Sequence, residues 1–323
     1  MIYNLFHVPY TLGWVFASVL ISLILTIIAL KSGMRFLPKD AGRAFAFEGE
    51  LSKGKARGCG LIFCISAVVV FLLFVPFKLE YAIYYALFLL SMLFGFLDDK
   101  STISWRELKK GMLDLVLCMV ASGVFMYFNG AYRIACFGLS CALPWWLFFP
   151  LSTFLIWVSI NFTNCTDGVD GLLGTLSSIS FVTFAVIFFV AAKDFELLQM
   201  NLVFVGALLA YLVFNTSPSV ALMGDAGSRA IGLLLGIMAL KTGNLLLYIP
   251  VALVIILDGG TGLFKLLVIR ITKKKTFLHM IRTPLHDHAR YKWKWSDAQV
   301  VNRFATIQLV LSGILIALMI LAA

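Results

Sequence analysis

Asp98 and Asp99 close the stretch FGFLDDK (94–100), Asp167 and Asp170 lie in NFTNCTDGVDGLLG (161–174), and Asp225 lies in MGDAGSRAIG (223–232). These five sit at the ends of three apolar stretches in a chain with only 16 acidic residues. Ionisable groups in such settings are functional candidates by default. Neighbouring carboxylates raise one another's pKa unless a cation lies between them. A hard divalent ion with oxygen ligands meets that need, and Mg²⁺ favours one or two carboxylates completed by phosphate oxygens. The plainer alternative is that Asp98 and Asp99 only terminate a helix and that Asp225 only caps one.

The polar residues around these acids suit an anionic ligand. Asn161 and Asn164 are one helical turn apart at the end of an apolar run. Gly168 and Gly171 allow tight turns or close approach of a ligand to the backbone, with an ordinary Asn/Asp/Gly turn as the alternative. Asn215 comes shortly before Gly224-Asp225, where a starting helix would offer free N–H groups to anionic oxygens. His286-Asp287-His288 stands in a basic loop, and there two histidines suit contact with phosphate better than a metal site. Trp293 and Trp295, beside Lys292 and Lys294, read as an interfacial anchor. Lys53, Lys55 and Arg57 add cations in an earlier loop.

The elements that must position these residues are membrane spans. The chain has 323 residues, 61% hydrophobic and 13% charged, and a mean hydropathy of +0.98. That excludes an ordinary soluble domain and predicts an all-α, polytopic integral membrane protein. Apolar runs long enough to cross the bilayer fall near 12–30, 58–76, 79–97, 108–128, 144–162, 172–192, 198–215, 228–240, 245–270 and 299–322. About ten transmembrane helices are therefore expected. The span at 228–240 is short, and Asp258-Gly259-Gly260-Thr261-Gly262 interrupts the one at 245–270. Such a weakened helix would open a groove for a lipid or mark a packing kink.

Basic residues near span ends favour the cytoplasmic side. With both termini outside, 22 of the 26 Lys and Arg residues fall on inner segments, leaving Lys78, Arg133, Lys193 and Lys241 outside. The net charge of +10 is then topological and calls for no nucleic acid. The first apolar run lacks a basic leader and is followed by basic residues, so it is read as a span and not as a cleaved signal. The chain forms a single transmembrane domain, 1–323, with cytoplasmic active-site loops at 31–57, 98–110, 161–171, 215–228 and 271–298. All five acids then share one face. Surrounded by Lys, Arg and His, they suit a phosphorylated or pyrophosphorylated soluble substrate held at the membrane surface.

FLDD (96–99), N-x-x-N-x-x-D-G-x-D-G-L from Asn161 and GDxGS (224–228) occur in that order. They resemble the polyprenyl-phosphate N-acetylhexosamine-1-phosphate transferase superfamily. TPLHDH (283–288) and the following AQVVNRF (298–304) look most like its phospho-N-acetylmuramoyl-pentapeptide transferase branch. The resemblance implies transfer of phospho-MurNAc-pentapeptide from UDP-MurNAc-pentapeptide to undecaprenyl phosphate, giving lipid I and UMP. It further implies a Mg²⁺ cofactor, a homodimer, and a bacterial inner-membrane location with a cytoplasmic active site.

By similarity, Asp225 would be the main Mg²⁺ ligand, Asp98 and Asp99 would engage the metal or the lipid phosphate, and Asn215 would contact substrate near the metal. Asp167 and Asp170, with Lys53, would surround the nucleotide, and His286 would lie near the diphosphate. Three positions depart from the family pattern. Asp287 replaces the middle of three histidines, Leu222 replaces an aromatic residue, and Thr102 replaces a lysine. The alternatives are a branch using UDP-N-acetylglucosamine and, in another class, a cation-coupled transporter, which should place its carboxylates near the bilayer midplane.

Overall fold

The computed structural model describes residues 11–42, 49–101, 104–130, 132–136, 139–273, 278 and 280–322. Its helices are α1 (Leu12–Gly33), α2 (Gly60–Phe74), α3 (Leu79–Lys100), α4 (Glu107–Asn129), α5 (Trp145–Thr166), α6 (Leu172–Ile187), α7 (Phe195–Asn215), α8 (Gly224–Lys241), α9 (Tyr248–Val251), α10 (Leu253–Thr272), α11 (Leu285–Trp293) and α12 (Asp297–Ala322). Two small strand pairs complete it. β1 (Ala56–Arg57) runs parallel to β4 (Ala221–Leu222), and β2 (Arg133–Cys136) forms a hairpin with β3 (Leu139–Ala142).

The chain is thus an all-α polytopic membrane protein. Each of the ten expected spans contains a helix. Among the described residues seven helices are long and apolar enough to cross a membrane, or eight if the bent α9–α10 pair counts as one span. The other two differ in character. α2 has only 15 residues, about 22 Å at 1.5 Å per residue, while α8 is short, rich in small residues and enclosed.

α8 is the axis of the fold, with Ala226 through Leu240 all buried. It packs chiefly along α5 and α3, and also against α2. Where lipid is the outer solvent, helices associate through close packing of small residues rather than through water-driven burial. A Cβ on Gly60 of α2 would lie 2.1 Å from the Gly227 nitrogen, and one on Gly95 of α3 would lie 2.2 Å from the Asp225 carbonyl oxygen. On the α5 side, Ser159 Oγ donates to the Gly232 carbonyl at 2.7 Å. At its far end, Lys241 Nζ reaches Glu80 at 2.9 Å and Asn129 at 2.8 Å. Gly95→Ala is therefore expected to push the start of α8 away from α3. A stability loss of about 1–3 kcal/mol, as for other overpacked cores, would be read as a lower Tm, together with reduced turnover.

The interruption falls elsewhere than the glycine run suggests. Helix α10 continues through Asp258–Gly262, and the chain bends by 92° between Val251 and Leu253. At the break, Gln308 of α12 accepts from the Val254 nitrogen at 3.0 Å and donates to the Pro250 carbonyl at 3.0 Å, while Ser180 Oγ donates to the Val251 carbonyl at 2.7 Å. Freed backbone groups at membrane depth need such partners. Gly259 serves packing instead, since a Cβ there would sit 2.2 Å from the Phe162 carbonyl oxygen.

Candidate active site

Three of the singled-out stretches meet where α3 ends and α8 begins. Asp99, in the last turn of α3, accepts from the backbone nitrogens of Asp225 at 3.2 Å and Ala226 at 3.1 Å. It thereby caps α8 from a neighbouring helix, satisfying N–H groups that a helix start leaves unpaired. Gly224 makes this approach feasible: its φ is +66°, and a Cβ there would lie 2.2 Å from Asp99 Oδ2. Arg57 of β1 donates from Nε to Asp99 Oδ1 at 2.9 Å and reaches Asp40 at 3.4 Å.

Asp98 faces a different set. Its Oδ1 accepts from the Trp105 nitrogen at 2.6 Å, and its Oδ2 pairs with Lys110 Nζ at 2.6 Å. Lys110 also approaches Asp225 Oδ2 at 3.5 Å, so one ammonium lies between two carboxylates from different helices. Asp225 Oδ1 accepts from Asn164 Nδ2 at 3.1 Å, and Asn164 also donates to Ser228 Oγ at 3.0 Å. Arg229 Nε donates to Asp225 Oδ2 at 3.2 Å.

Asp170 lies in a second cluster, accepting from Lys55 Nζ at 3.0 Å and from the Ser219 nitrogen at 3.1 Å. The loop after α5 holds no Lys or Arg of its own, and the partner comes from the segment preceding β1. Asn215 is buried; its Oδ1 accepts from Gly171 at 2.8 Å and its Nδ2 donates to the Ala221 carbonyl at 2.8 Å. It ties the Asp170 loop to β4. Lys53, two residues before Lys55, is exposed. Leu222 is half-buried in β4 and accepts from Cys59 through its carbonyl at 3.0 Å. Asp167 C-caps α5. Asn161 faces its own helix, donating to the Trp157 carbonyl at 2.8 Å. Thr102 lies outside the described residues.

A third cluster joins α10 and α11. Asp258, fully buried, accepts from the His286 backbone nitrogen through Oδ1 and contacts His286 Nδ1 through Oδ2, each at 2.8 Å. The other ring nitrogen faces the loop after α5, because a Cβ on Gly168 would lie 2.2 Å from His286 Nε2. Burial pulls the His286 imidazole down, but the Asp258 carboxylate outweighs it and holds the pKa above the ordinary 6.5. His288 does not share this setting. Two residues along a helix is a turn of about 200°, so the pair cannot point to one ligand; the His288 ring accepts from the Arg282 nitrogen at 3.2 Å and packs edge-on against Trp293.

The end of α5 links the clusters: Asn164 holds Asp225, Phe162 carries the close approach of Gly259, and Gly168 lies against His286. Lys55 and Arg57, expected only as cations near the acids, thus gain partners, and Lys110, Asp114, Arg229 and Asp258 join the site without a role read from the sequence. Only Arg229, four residues after Asp225 on one helix, had a spacing that signals a pair.

Among the described residues no three His, Cys, Asp or Glu side chains form a ready metal cage. Magnesium does not require one, since substrate oxygens and water complete its shell. Asp225 and Asp98 fit as a hard-oxygen pair, and the Lys110 ammonium between them marks a place where positive charge is stable. Asp99 fits less well, being engaged by two backbone N–H groups and a guanidinium.

Such a fold and site define a polytopic membrane enzyme that assembles acid and cation side chains at the ends of its helices. The family described as "Glycosyl transferase family 4" matches residues 81–243. A protein of Treponema pallidum (strain Nichols) named "Phospho-N-acetylmuramoyl-pentapeptide-transferase" is 38% identical over 302 residues, 86% of this chain and 82% of its own length. A protein of the same name from Desulforamulus reducens (strain ATCC BAA-1160 / DSM 100696 / MI-1) is 29% identical over 320 residues, 94% of each chain. The chain belongs to glycosyl transferase family 4 and is a transferase of that family.

Proposed function

We propose that this protein transfers phospho-MurNAc-pentapeptide from UDP-MurNAc-pentapeptide to undecaprenyl phosphate, yielding lipid I and UMP, with Mg²⁺ as cofactor. The observation that carries the reading is the meeting of Asp98, Asp99, Asn164 and Asp225, from three separated stretches, in one hydrogen-bonded network ringed by Lys110, Arg57 and Arg229. The shared name of the two relatives supports the donor assignment. We further place the protein in the bacterial inner membrane with ten crossings, both termini outside, these loops in the cytoplasm, and two copies per assembly.

In this reaction an oxygen of the lipid phosphate attacks the sugar-proximal phosphorus of the donor. The bond from that phosphorus to the bridging oxygen breaks, and UMP leaves with the bridging oxygen. Mg²⁺ would be held by Asp225 with Asp98 as second donor and, when bound, neutralises charge on the diphosphate. Asp98 and Lys110 orient the attacking phosphate by repulsion and attraction. His286, which Asp258 biases toward its protonated form, offers Nε2 beside Gly168 to the oxygens of the departing UMP phosphate. The lipid phosphate, with a second pKa near 6, is largely dianionic at neutral pH, so Asp98 acts by position and not as a required base. Asp98→Asn should then lower turnover by a similar factor at pH 6 and at pH 8, as loss of the second metal donor requires; near-normal turnover at pH 8 would remove Asp98 from both the metal and any base role.

Purified protein offered either UDP-MurNAc-pentapeptide or UDP-N-acetylglucosamine, each with undecaprenyl phosphate and with Mg²⁺ or chelator, tests the assignment. Metal-dependent UMP release with the muramoyl donor alone is expected. Release with the acetylglucosamine donor alone would move the protein to the other branch, and release with neither would end the reading.

A further inference from the structure

Asp114 and Arg229 form a buried pair that none of the reaction steps above uses. Arg229 Nη1 meets Asp114 Oδ2 at 2.5 Å, and the two side chains are 8% and 2% exposed. Taking two such charges out of water is costly unless geometry and further hydrogen bonds compensate. Here the guanidinium compensates by bonding two carboxylates at once, with Nε on Asp225 Oδ2 and Nη1 on Asp114. The cavity beside the pair, walled also by Phe94, Asp98, Trp105, Lys110 and Leu113, holds about 10 Å³, room for about one water. The pair's direct contact with the proposed chemistry is the Arg229–Asp225 bond.

We infer that Arg229, anchored by Asp114, is a positioning residue that lowers the affinity of Asp225 for a bare divalent cation, so that the metal is held firmly only together with a diphosphate. This rests on Asp225 being a metal ligand. The charge count supports it. Asp98, Asp114 and Asp225 face Lys110 and Arg229, leaving one net negative charge in the network. A divalent ion alone would overshoot to one positive charge in a poorly hydrated site, whereas an ion arriving with an anionic diphosphate would not. Arg229 also engages Oδ2 of Asp225, the oxygen that Lys110 approaches from the Asp98 side, so it competes with a metal for that oxygen.

The two partners act in opposite directions, which separates positioning from mere structural support. Arg229→Leu combined with Asp114→Leu removes the clamp and leaves no buried ion unpaired. Asp114→Asn keeps the guanidinium but releases its charge entirely to Asp225. The probe is Mn²⁺ alone, titrated by electron paramagnetic resonance into purified full-length protein without nucleotide, each variant first shown to be monodisperse. Expected is binding several-fold tighter in the double variant, where the net charge of the network is unchanged but the cation in contact with Asp225 is gone, and several-fold weaker in Asp114→Asn, where the network loses one negative charge. Unchanged binding in both, or a shift of both in one direction, would overturn the inference while leaving the Asp225 assignment intact. If the double variant does not fold, Asp114→Asn and Arg229→Lys decide it: Arg229→Lys, keeping the charge, should match the wild type, and tighter binding in Asp114→Asn overturns the inference. Asp225→Asn is the control for the underlying reading, since wild-type-like Mn²⁺ binding there would remove both.

Discussion

Asp225→Asn is expected to lower turnover by at least about 10³-fold while leaving the protein folded. A single preorganised electrostatic group at a site of developing charge is commonly worth 10²–10³, and a metal ligand adds the affinity of the ion itself. The asparagine keeps one acceptor for Asn164 but loses the charge that opposes Lys110 and Arg229. Both cations retain a partner, Asp98 and Asp114 respectively, so the stability loss should stay near the 1–3 kcal/mol of a disrupted buried contact. Initial rates of UMP release, with Tm measured on the same preparation, separate the two effects. A rate within tenfold of the wild type would remove Asp225 from the centre of the site.

Asp258→Asn is expected to cost about 10²–10⁴-fold, the range of a positioned acid or base, and to change the pH profile. In the wild type the carboxylate raises the His286 pKa above 6.5 against the pull of burial. Without the charge, burial dominates and the imidazole deprotonates at lower pH. The wild type should therefore hold its activity until pH rises through the raised value, and the variant should lose it earlier. The ratio of wild-type to variant rate should be larger at pH 8 than at pH 6. The same sign governs stability: the ion pair's contribution is fully present below about 6.5 and is lost as pH rises through the folded value. A ratio that grows toward acid pH would mean that neutral His286 is the working form.

The spans were legible because the bilayer dictates their length and composition, and the acids because few charges are tolerated where Asp98, Asp99 and Asp225 stand. Their cationic partners were not. Lys110 and Arg57 reach Asp98 and Asp99 from separate segments, and no local pattern assigns a tertiary ion pair. Lys53 and Lys55 differ by two residues in one loop, yet only Lys55 reaches Asp170, because the turn before β1 decides which side chain faces inward. The bend at Ala252 was hidden by a glycine run that the fold uses for packing against Phe162. Asp258 was visible as the acid that heads the glycine run inside an expected span. Its partner was not, because it lies 28 residues on, in a different helix.

The most direct test follows the phosphorus. UDP-MurNAc-pentapeptide labelled at the sugar-proximal phosphate, incubated with the purified protein, undecaprenyl phosphate and Mg²⁺, should deliver its label to the lipid fraction, with unlabelled UMP released and no transfer in chelator. Label recovered in the aqueous phase as UDP would mean that the sugar alone is transferred, and would contradict the diphosphate chemistry assigned to Asp98, Asp225 and His286.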